Sequence, residues 1–221
     1  MSELNSLLQR FDRALERFQQ GLVVSLPGPA TELDLKALEA GLGFPLPDEI
    51  RTLLNHHDGS GQHGVLPAGF PFRMCSARRM LEHHQIAITL FQARCQERTR
   101  EKCLPDPQWV RAHPFVDWSH HPSRLVIGDT IMGDRLVWDG LPGGTGTLGQ
   151  LLEVSKYGEM GLAAGSLEEY LSALLDKVDQ GLVTWSCTDE EPFGWRSTVD
   201  LEPTDVWDLL PQYREFGHVL G

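Results

Sequence analysis

The chain has 221 residues, of which 41% are hydrophobic and 23% are charged, close to the usage of ordinary globular proteins. This composition excludes a disordered or fibrous chain, and the length suits one domain with appendages. The formal net charge of −12 disfavours nucleic acid as a partner, because phosphate binding requires a basic surface. A basic protein is the more natural partner.

Signals for export and membrane insertion are the next feature to consider. No stretch approaches the roughly 18 consecutive apolar residues of a membrane span. The first 18 residues have the pattern of a polar amphipathic helix and not of a signal peptide. The four cysteines have no CxxC spacing, which favours reduced thiols. We therefore expect a cytoplasmic protein with no membrane partner.

Hydrophobic periodicity predicts helices through the first half of the chain, beginning with an amphipathic helix over residues 3–20. Two short helices should follow in tandem, because Thr31 and Asp34 form a capping-box pattern and Pro47 suits a first helical position. A further apolar stripe at helical spacing runs through residues 80–95. The apolar residues of the first helix are Leu4, Leu7, Leu8, Phe11, Leu15 and Phe18.

The second half of the chain predicts strands and a closing helix. Residues 124–128 and 134–139 are β-rich runs on either side of the turn DTIMG, which indicates a β-hairpin. Residues 150–157 should form a third strand. Ser166 and Glu169 form a capping-box pattern at the start of the most regular amphipathic helix in the chain.

These elements suggest three parts: an amino-terminal helix (1–25), a main domain (26–180) and a tail (181–221) packed on that domain. The tail carries eight acidic residues and two arginines, a net charge of −6 and half of the total of −12. Its pattern is irregular, with aromatic residues among the acids and one short helix predicted around 204–210.

Three motifs in this order resemble the SUKH superfamily, in particular its Smi/Knr branch. The first is GLGFPLPDEIRTLLNHHDGSG (41–61), with its paired leucines and its polar-glycine turn. The second is WSHHPSRLVIGDTIMGDRLVWD (118–139), a tryptophan followed by two strands around a Gly-Asp turn. The third is the run of small residues that leads into SLEEYLSALL (166–175). Together the motifs span roughly residues 26–178.

The resemblance implies an α+β fold, in which helices pack on a mixed, mostly antiparallel sheet. It implies no catalytic residues and no cofactor. The family includes fungal cell-wall assembly regulators and many bacterial immunity proteins, which typically neutralise a toxin. The resemblance therefore implies action through protein binding.

A glycine-rich segment provides the alternative of a nucleotide site, since Gly144, Gly146 and Gly149 satisfy GxGxxG after a predicted strand. A nucleotide loop of this kind opens a helix. The segment that follows, QLLEVSKY, has strand character instead. We therefore interpret the glycines as an ordinary loop.

Histidine pairs provide the alternative of a metal site, because imidazole is a common metal ligand. The pairs are His56-His57, His83-His84 and His120-His121. Adjacent residues of a helix point in different directions, so we expect structural roles for the histidines and no metal site.

Three aspartates, Asp129, Asp134 and Asp139, surround the predicted hairpin and could imitate a carboxylate active site or a calcium loop. Their spacing of five residues lacks the EF-hand glycine pattern, so turn chemistry explains them better. No serine or cysteine lies in a nucleophile motif. We expect no enzymatic activity.

Acidic residues beside aromatic residues are suited to a partner surface, where aromatic side chains anchor and charges steer the encounter. For Trp138, the sequence favours packing in the core and binding a partner equally. The candidate partner-binding residues are Asp129, Asp134, Trp138, Asp139, Tyr157 and Glu159, with Asp189, Glu190, Glu191 and Trp195 in the tail.

The leading functional hypothesis is an immunity protein that binds and neutralises a cognate polymorphic toxin. A nuclease toxin is a natural target, because an acidic protein can occupy a basic nucleic-acid cleft. The alternative is a regulatory scaffold or adaptor with several weaker partners, and a third possibility is an enzyme with a ligand in the glycine loop. The oligomeric state is left open.

Overall fold

A computed structural model describes residues 3–66, 72–97, 107–188 and 191–197. The helices are α1 (Glu3–Phe18), α2 (Leu22–Ser25), α3 (Glu32–Leu42), α4 (Asp48–His56), α5 (Ala77–Glu97), α6 (Pro107–Ala112) and α7 (Leu167–Asp179). The strands are β1 (Gly64–Leu66), β2 (Phe72–Met74), β3 (Arg124–Asp129), β4 (Arg135–Asp139), β5 (Leu151–Val154), β6 (Met160–Ala164), β7 (Val183–Thr188) and β8 (Glu191–Ser197). The α+β class predicted from the sequence is confirmed.

Strands β1 to β6 form one sheet in chain order, and every neighbouring pair is antiparallel. In such a meander, successive connections alternate between the two ends of the sheet. The turn between β3 and β4 and the turn between β5 and β6 therefore lie at the same end. The predicted hairpin is β3–β4, with Val126 opposite Val137 in its middle.

Helices cover the sheet through the apolar residues that the sequence places at helical spacing. Helix α1 contacts α7 and α4, and residues such as Leu8 and Leu15 are buried there. Burial of one such leucine is worth about 1.5–3 kcal/mol relative to an exposed one. None of the helices in the described part of the chain is long and apolar enough to cross a membrane.

Side-chain caps determine where two of these helices begin. The Thr31 hydroxyl accepts a hydrogen bond from the Asp34 N–H, and the Asp34 carboxylate accepts one from the Thr31 N–H, which completes the predicted capping box of α3. The Ser166 hydroxyl accepts from the Glu169 N–H at 3.1 Å at the start of α7. Each cap of this kind contributes about 1 kcal/mol.

The segment after α7 forms a hairpin of β7 and β8 in a separate two-stranded sheet, where the sequence pattern predicted irregular structure. Trp185 on β7 is buried, and its indole N–H donates to the Gly64 carbonyl at 3.0 Å. The short helix predicted at 204–210 lies outside the described residues.

Candidate protein-binding surface

Two turns with the same five-residue pattern lie at one end of the sheet. The β3–β4 turn is TIMGD (130–134), and the β5–β6 turn is SKYGE (155–159). Each has a hydroxyl residue first, a glycine fourth and an acid fifth. The glycines, Gly133 and Gly158, have φ angles of +96° and +89°, the left-handed conformation that glycine adopts without strain.

Hydrogen bonds fix the first turn. The Thr130 side-chain oxygen accepts from the N–H groups of Met132 at 3.2 Å and Asp134 at 3.1 Å. The Thr130 N–H donates to the Asp134 carbonyl at 2.9 Å, and the Gly133 N–H donates to the Thr130 carbonyl at 3.2 Å. The loop backbone is thus held by its own residues.

The second turn has the same bonds at equivalent positions. The Ser155 hydroxyl oxygen accepts from the N–H groups of Tyr157 and Glu159, each at 3.2 Å. The Ser155 N–H donates to the Glu159 carbonyl at 2.8 Å, and the Gly158 N–H donates to the Ser155 carbonyl at 2.9 Å. The two turns are therefore structural equivalents 25 residues apart in sequence, as the starting positions Thr130 and Ser155 show.

The two turns also contact each other. The Lys156 N–H of the second turn donates to the Asp134 carboxylate of the first at 2.9 Å. A Cβ atom built on Gly133 would lie 3.4 Å from the Cβ atom of Lys156. Asp134 therefore joins the turns into one surface.

Large apolar side chains stand at the middle positions of these turns. Ile131 is 80% exposed, Met132 is 52% exposed and Tyr157 is 80% exposed. Exposed apolar groups clustered on a fixed backbone are typical of protein interaction sites. We call the surface formed by Ile131, Met132, Asp134, Lys156, Tyr157 and Glu159 the turn patch.

Three of the residues predicted from the sequence to bind a partner belong to the turn patch: Asp134, Tyr157 and Glu159. Two others in the sheet, Trp138 and Asp139, have buried side chains. The Trp138 indole N–H donates to a Glu49 carboxylate oxygen at 2.5 Å. Burial raises the pKa of Glu49, and this hydrogen bond opposes the rise.

Asp139 forms a buried ion pair with Arg124, whose Nε donates to its carboxylate at 2.9 Å. The Arg124 guanidinium also donates to the carbonyls of Val116, at 2.7 Å, and Trp118. The other Asp139 oxygen accepts from the Gln150 amide at 2.9 Å. This network satisfies the buried charges, so the Asp139 carboxylate is engaged within the fold.

Two arginines and a histidine contact the Asp129 carboxylate. Its carboxylate accepts from Arg73 at 2.9 Å, from Arg79 at 2.9 Å and from His83 at 3.0 Å. Burial alone would raise the pKa of Asp129, but the hydrogen bonds from His83 and Arg79 and the charge of Arg73 lower it to about 2. The ionised carboxylate holds α5 on the sheet.

The tail residues named from the sequence lie partly outside the described residues. Glu191 and Trp195 are on β8, where the backbone of Trp195 pairs with that of Trp185 on β7. Asp189 and Glu190 lie outside the described residues.

The glycine-rich loop serves close backbone packing. A Cβ atom on Gly146 would lie 1.8 Å from the Pro114 carbonyl oxygen, and one on Gly144 would lie 2.7 Å from the Arg111 carbonyl oxygen. The segment after the loop is β5, a strand, as the sequence predicted. Residues at these positions must lack a side chain, which explains the pattern without a nucleotide.

Sequence reasoning missed three patch residues: Ile131, Met132 and Lys156. The signal was present, because two large apolar residues occupy a turn where polar residues are usual. The shared pattern of hydroxyl, glycine and acid in TIMGD and SKYGE was a second signal.

A sheet covered by helices, with a rigid exposed patch at one end, defines the class of an α+β domain suited to protein binding. The family model of the SMI1 / KNR4 family (SUKH-1) matches residues 29–173, more than half of the chain. The chain belongs to this family, whose members are generally non-enzymatic immunity or regulatory proteins. No curated protein sequence matches the chain.

Proposed function

We propose that this protein is an immunity protein that binds and neutralises a cognate toxin domain through the turn patch. The observation that carries the proposal is the exposure of Ile131, Met132 and Tyr157 on two turns whose backbones are fixed by hydrogen bonds. Membership of the SUKH-1 family supports a protein partner.

The rigidity of the turns favours tight binding. Association loses free energy when loops become ordered, and a preorganised loop avoids most of that loss. The backbones of both turns are bonded to Thr130 and Ser155, and Asp134 links them. Tyr157 belongs to one of the residue types that are enriched among interface hot spots, with tryptophan and arginine.

Charge favours a basic partner. The chain has a net charge of −12, and Asp134 and Glu159 lie beside the apolar side chains of the patch, with Lys156 as the nearby cation. Opposite charges steer encounter and select the partner. A nuclease toxin, whose nucleic-acid cleft is basic, has the required surface.

The test is titration calorimetry, at low and high salt, against the carboxy-terminal domain of any polymorphic toxin that is encoded beside this gene. We expect one-to-one binding that salt weakens. The double substitution Ile131→Ser/Tyr157→Ser should lower the affinity by about 30-fold or more, the effect of losing an interface hot spot. The matched control is Leu33→Ser on α3, since Leu33 is 77% exposed.

Two results would contradict the proposal. Absence of binding by the parent chain would remove the toxin as partner, and an equal loss of affinity in the Leu33→Ser control would remove the turn patch as the site. A set of several modest binders in place of one tight complex would favour the alternative of a regulatory scaffold or adaptor.

A further inference from the structure

A carboxylate and two imidazoles converge where α1 meets the end of α4. Asp12 lies on α1, His56 is the last residue of α4, and His57 follows it. His56 Nε2 is 2.8 Å from one Asp12 carboxylate oxygen, and His57 Nε2 is 3.2 Å from the other. All three donor atoms lie within 4.8 Å of one another.

The two adjacent histidines converge because His57 has left the helix. Its φ and ψ angles are −143° and 132°, an extended conformation. The sequence interpretation assumed a continuous helix, on which neighbouring side chains diverge. The end of α4 therefore creates a cluster that helical geometry would forbid.

The surroundings of His57 determine which of its nitrogens carries a proton. His57 Nδ1 lies 2.8 Å from the Pro27 carbonyl oxygen, which can only accept, so Nδ1 carries the hydrogen. In the neutral ring the lone pair is then on Nε2, which faces the Asp12 carboxylate. Two electron-rich atoms at 3.2 Å repel each other, so either a proton or a metal ion must lie between them. With the proton on Nε2 the ring is an imidazolium, and its hydrogen bond to Asp12 raises the pKa of His57. A metal ion would take the place of that proton. Metal-bound histidines commonly donate their other N–H to a backbone carbonyl in this way.

In the part of the chain that the structure describes, no arginine or lysine forms a salt bridge with Asp12. Among the described residues, the salt bridges of Asp12 go to His56 and His57 alone. A second three-donor group among the described residues, Cys75, His83 and Asp129, differs because Arg73 and Arg79 already neutralise its carboxylate. Burial also raises the pKa of the Cys75 thiol well above its ordinary value.

We propose that Asp12, His56 and His57 bind a divalent transition-metal ion, with zinc as the best match. Imidazole nitrogen and carboxylate oxygen are zinc ligands, and a tetrahedral site with bonds of roughly 2.0 Å has ligands about 3.3 Å apart. The two imidazole–carboxylate separations of 2.8 and 3.2 Å are close to this value, and all three donor atoms lie within 4.8 Å of one another. The side chains are 20%, 21% and 12% exposed, so an ion can enter and a water molecule can be the fourth ligand.

The bound ion would fasten α1 to the rest of the fold. Asp12 is on α1, while His56 and His57 are at the end of α4, and Pro27 lies on the connection between them. An ion that binds the folded chain stabilises it in proportion to its affinity and concentration. This site is separate from the turn patch, so its test does not depend on toxin binding.

The test is titration of the full chain, after treatment with a chelator, with zinc chloride by calorimetry. Visible absorption with Co²⁺ in place of Zn²⁺ reports a tetrahedral site. We expect one ion per chain and a higher thermal unfolding midpoint with zinc. Asp12→Asn and His56→Gln should each weaken the affinity at least tenfold, while the matched control His83→Gln should leave it unchanged.

Absence of stoichiometric zinc binding by the parent chain would overturn the proposal, and so would affinity that persists in folded Asp12→Asn and His56→Gln variants. Circular dichroism establishes that each variant is folded. If a variant does not fold, nitrogen NMR of the parent chain tests whether zinc binds at this site. Zinc must then shift the Nε2 resonances of His56 and His57, and unshifted resonances would refute the site.

Discussion

Asp139 and Asp134 are two carboxylates of one hairpin, and the fold uses them in opposite ways. Asp139 is fully buried and is held by Arg124 and Gln150. Asp134 is half-buried at the turn, where it accepts from the Lys156 N–H beside the exposed Tyr157. The difference shows that the role of a carboxylate depends on the hydrogen-bond donors and charges of the residues around it.

Carboxylates also have different roles in the interior of the molecule and at the turn patch. In the interior, arginine and amide groups offset the cost of burying a carboxylate, and the result is a fixed sheet. At the turn patch, the carboxylate holds two loops together and leaves the apolar side chains exposed. Stability should therefore depend on Asp139, and recognition should depend on the turn patch.

The largest effect that tests this comparison is the loss of the buried carboxylate. Asp139→Ala leaves the Arg124 guanidinium buried without its counter-ion, because both side chains are almost inaccessible, at 0% and 2%. We expect a loss of about 3–5 kcal/mol in the free energy of unfolding. Urea denaturation followed by circular dichroism measures it.

The control replaces both charges at once. Arg124→Met/Asp139→Leu removes the uncompensated charge, so it should recover much of the stability lost in Asp139→Ala. A double variant no more stable than Asp139→Ala would argue against the uncompensated charge as the main cost, or would show that losing the Arg124 hydrogen bonds to the Val116 and Trp118 carbonyls costs as much.

A smaller interior effect comes from the glycine-rich loop that borders the Asp139 network. A Cβ atom on Gly146 would meet the Pro114 carbonyl oxygen at 1.8 Å and the Gln150 side-chain oxygen at 2.7 Å. Gly146→Ala should therefore cost about 1–3 kcal/mol, the typical penalty for overpacking. Thermal unfolding measures this loss. Gly28→Ala is the matched control, because nothing lies within 4 Å of its Cβ position, and equal losses would argue against the packing explanation.

Acid sensitivity is the third test of the interior. Burial and the charges of neighbouring arginines lower the pKa values of His120 and His121 to about 4. The Ser123 N–H donates to His121 Nδ1 at 3.1 Å, so that nitrogen must be unprotonated. In the unfolded chain these histidines titrate near 6.5, so the unfolded state binds more protons between pH 6.5 and 4. Stability is therefore complete above about pH 6.5 and is lost as the pH falls towards 4.

Both rings are partly exposed, and solvent screening keeps this effect small. We expect the unfolding midpoint to fall by roughly 2–4 °C, the change that 1 kcal/mol produces in a chain of this size. Calorimetry of the parent chain and of His120→Gln/His121→Gln at several pH values measures it. A variant with the same slope as the parent between pH 6.5 and 4 would assign the acid sensitivity to other groups.

Local patterns were sufficient to predict much of the fold. Each of these elements has its whole pattern within its own segment. The pattern is apolar spacing in α1, α3, α4 and α7, and a β-rich run in β3 and β4. Strand β6 was missed because its sequence, MGLAA, is poor in β-formers and is stabilised by pairing with β5 and by contact with α7. The predicted third strand ended too late, since SKYGE forms a turn.

The candidate sites were less predictable, because they depend on contacts between distant segments. Asp134 and Tyr157 were each identifiable, but the order of the strands brings their turns together. The approach of Asp12 to His56 and His57 depends on the packing of α1 against α4 and on the point where α4 ends. The spacing of residues in the sequence shows neither how α1 packs on α4 nor where α4 ends.

We expect the smallest effect on stability at the turn patch. Substitutions there test whether the exposed residues serve recognition and not stability. Ile131→Ser should change the free energy of unfolding by less than about 0.5 kcal/mol, because the side chain is 80% exposed and the backbone bonds of the turn come from Thr130. Urea denaturation measures this change, and the calorimetric titration with the toxin domain measures the loss of affinity. A variant that loses stability and binding together would show that Ile131 supports the fold. Lost affinity at unchanged stability would establish that the exposed residues of the hairpin serve recognition while Asp139 serves the core.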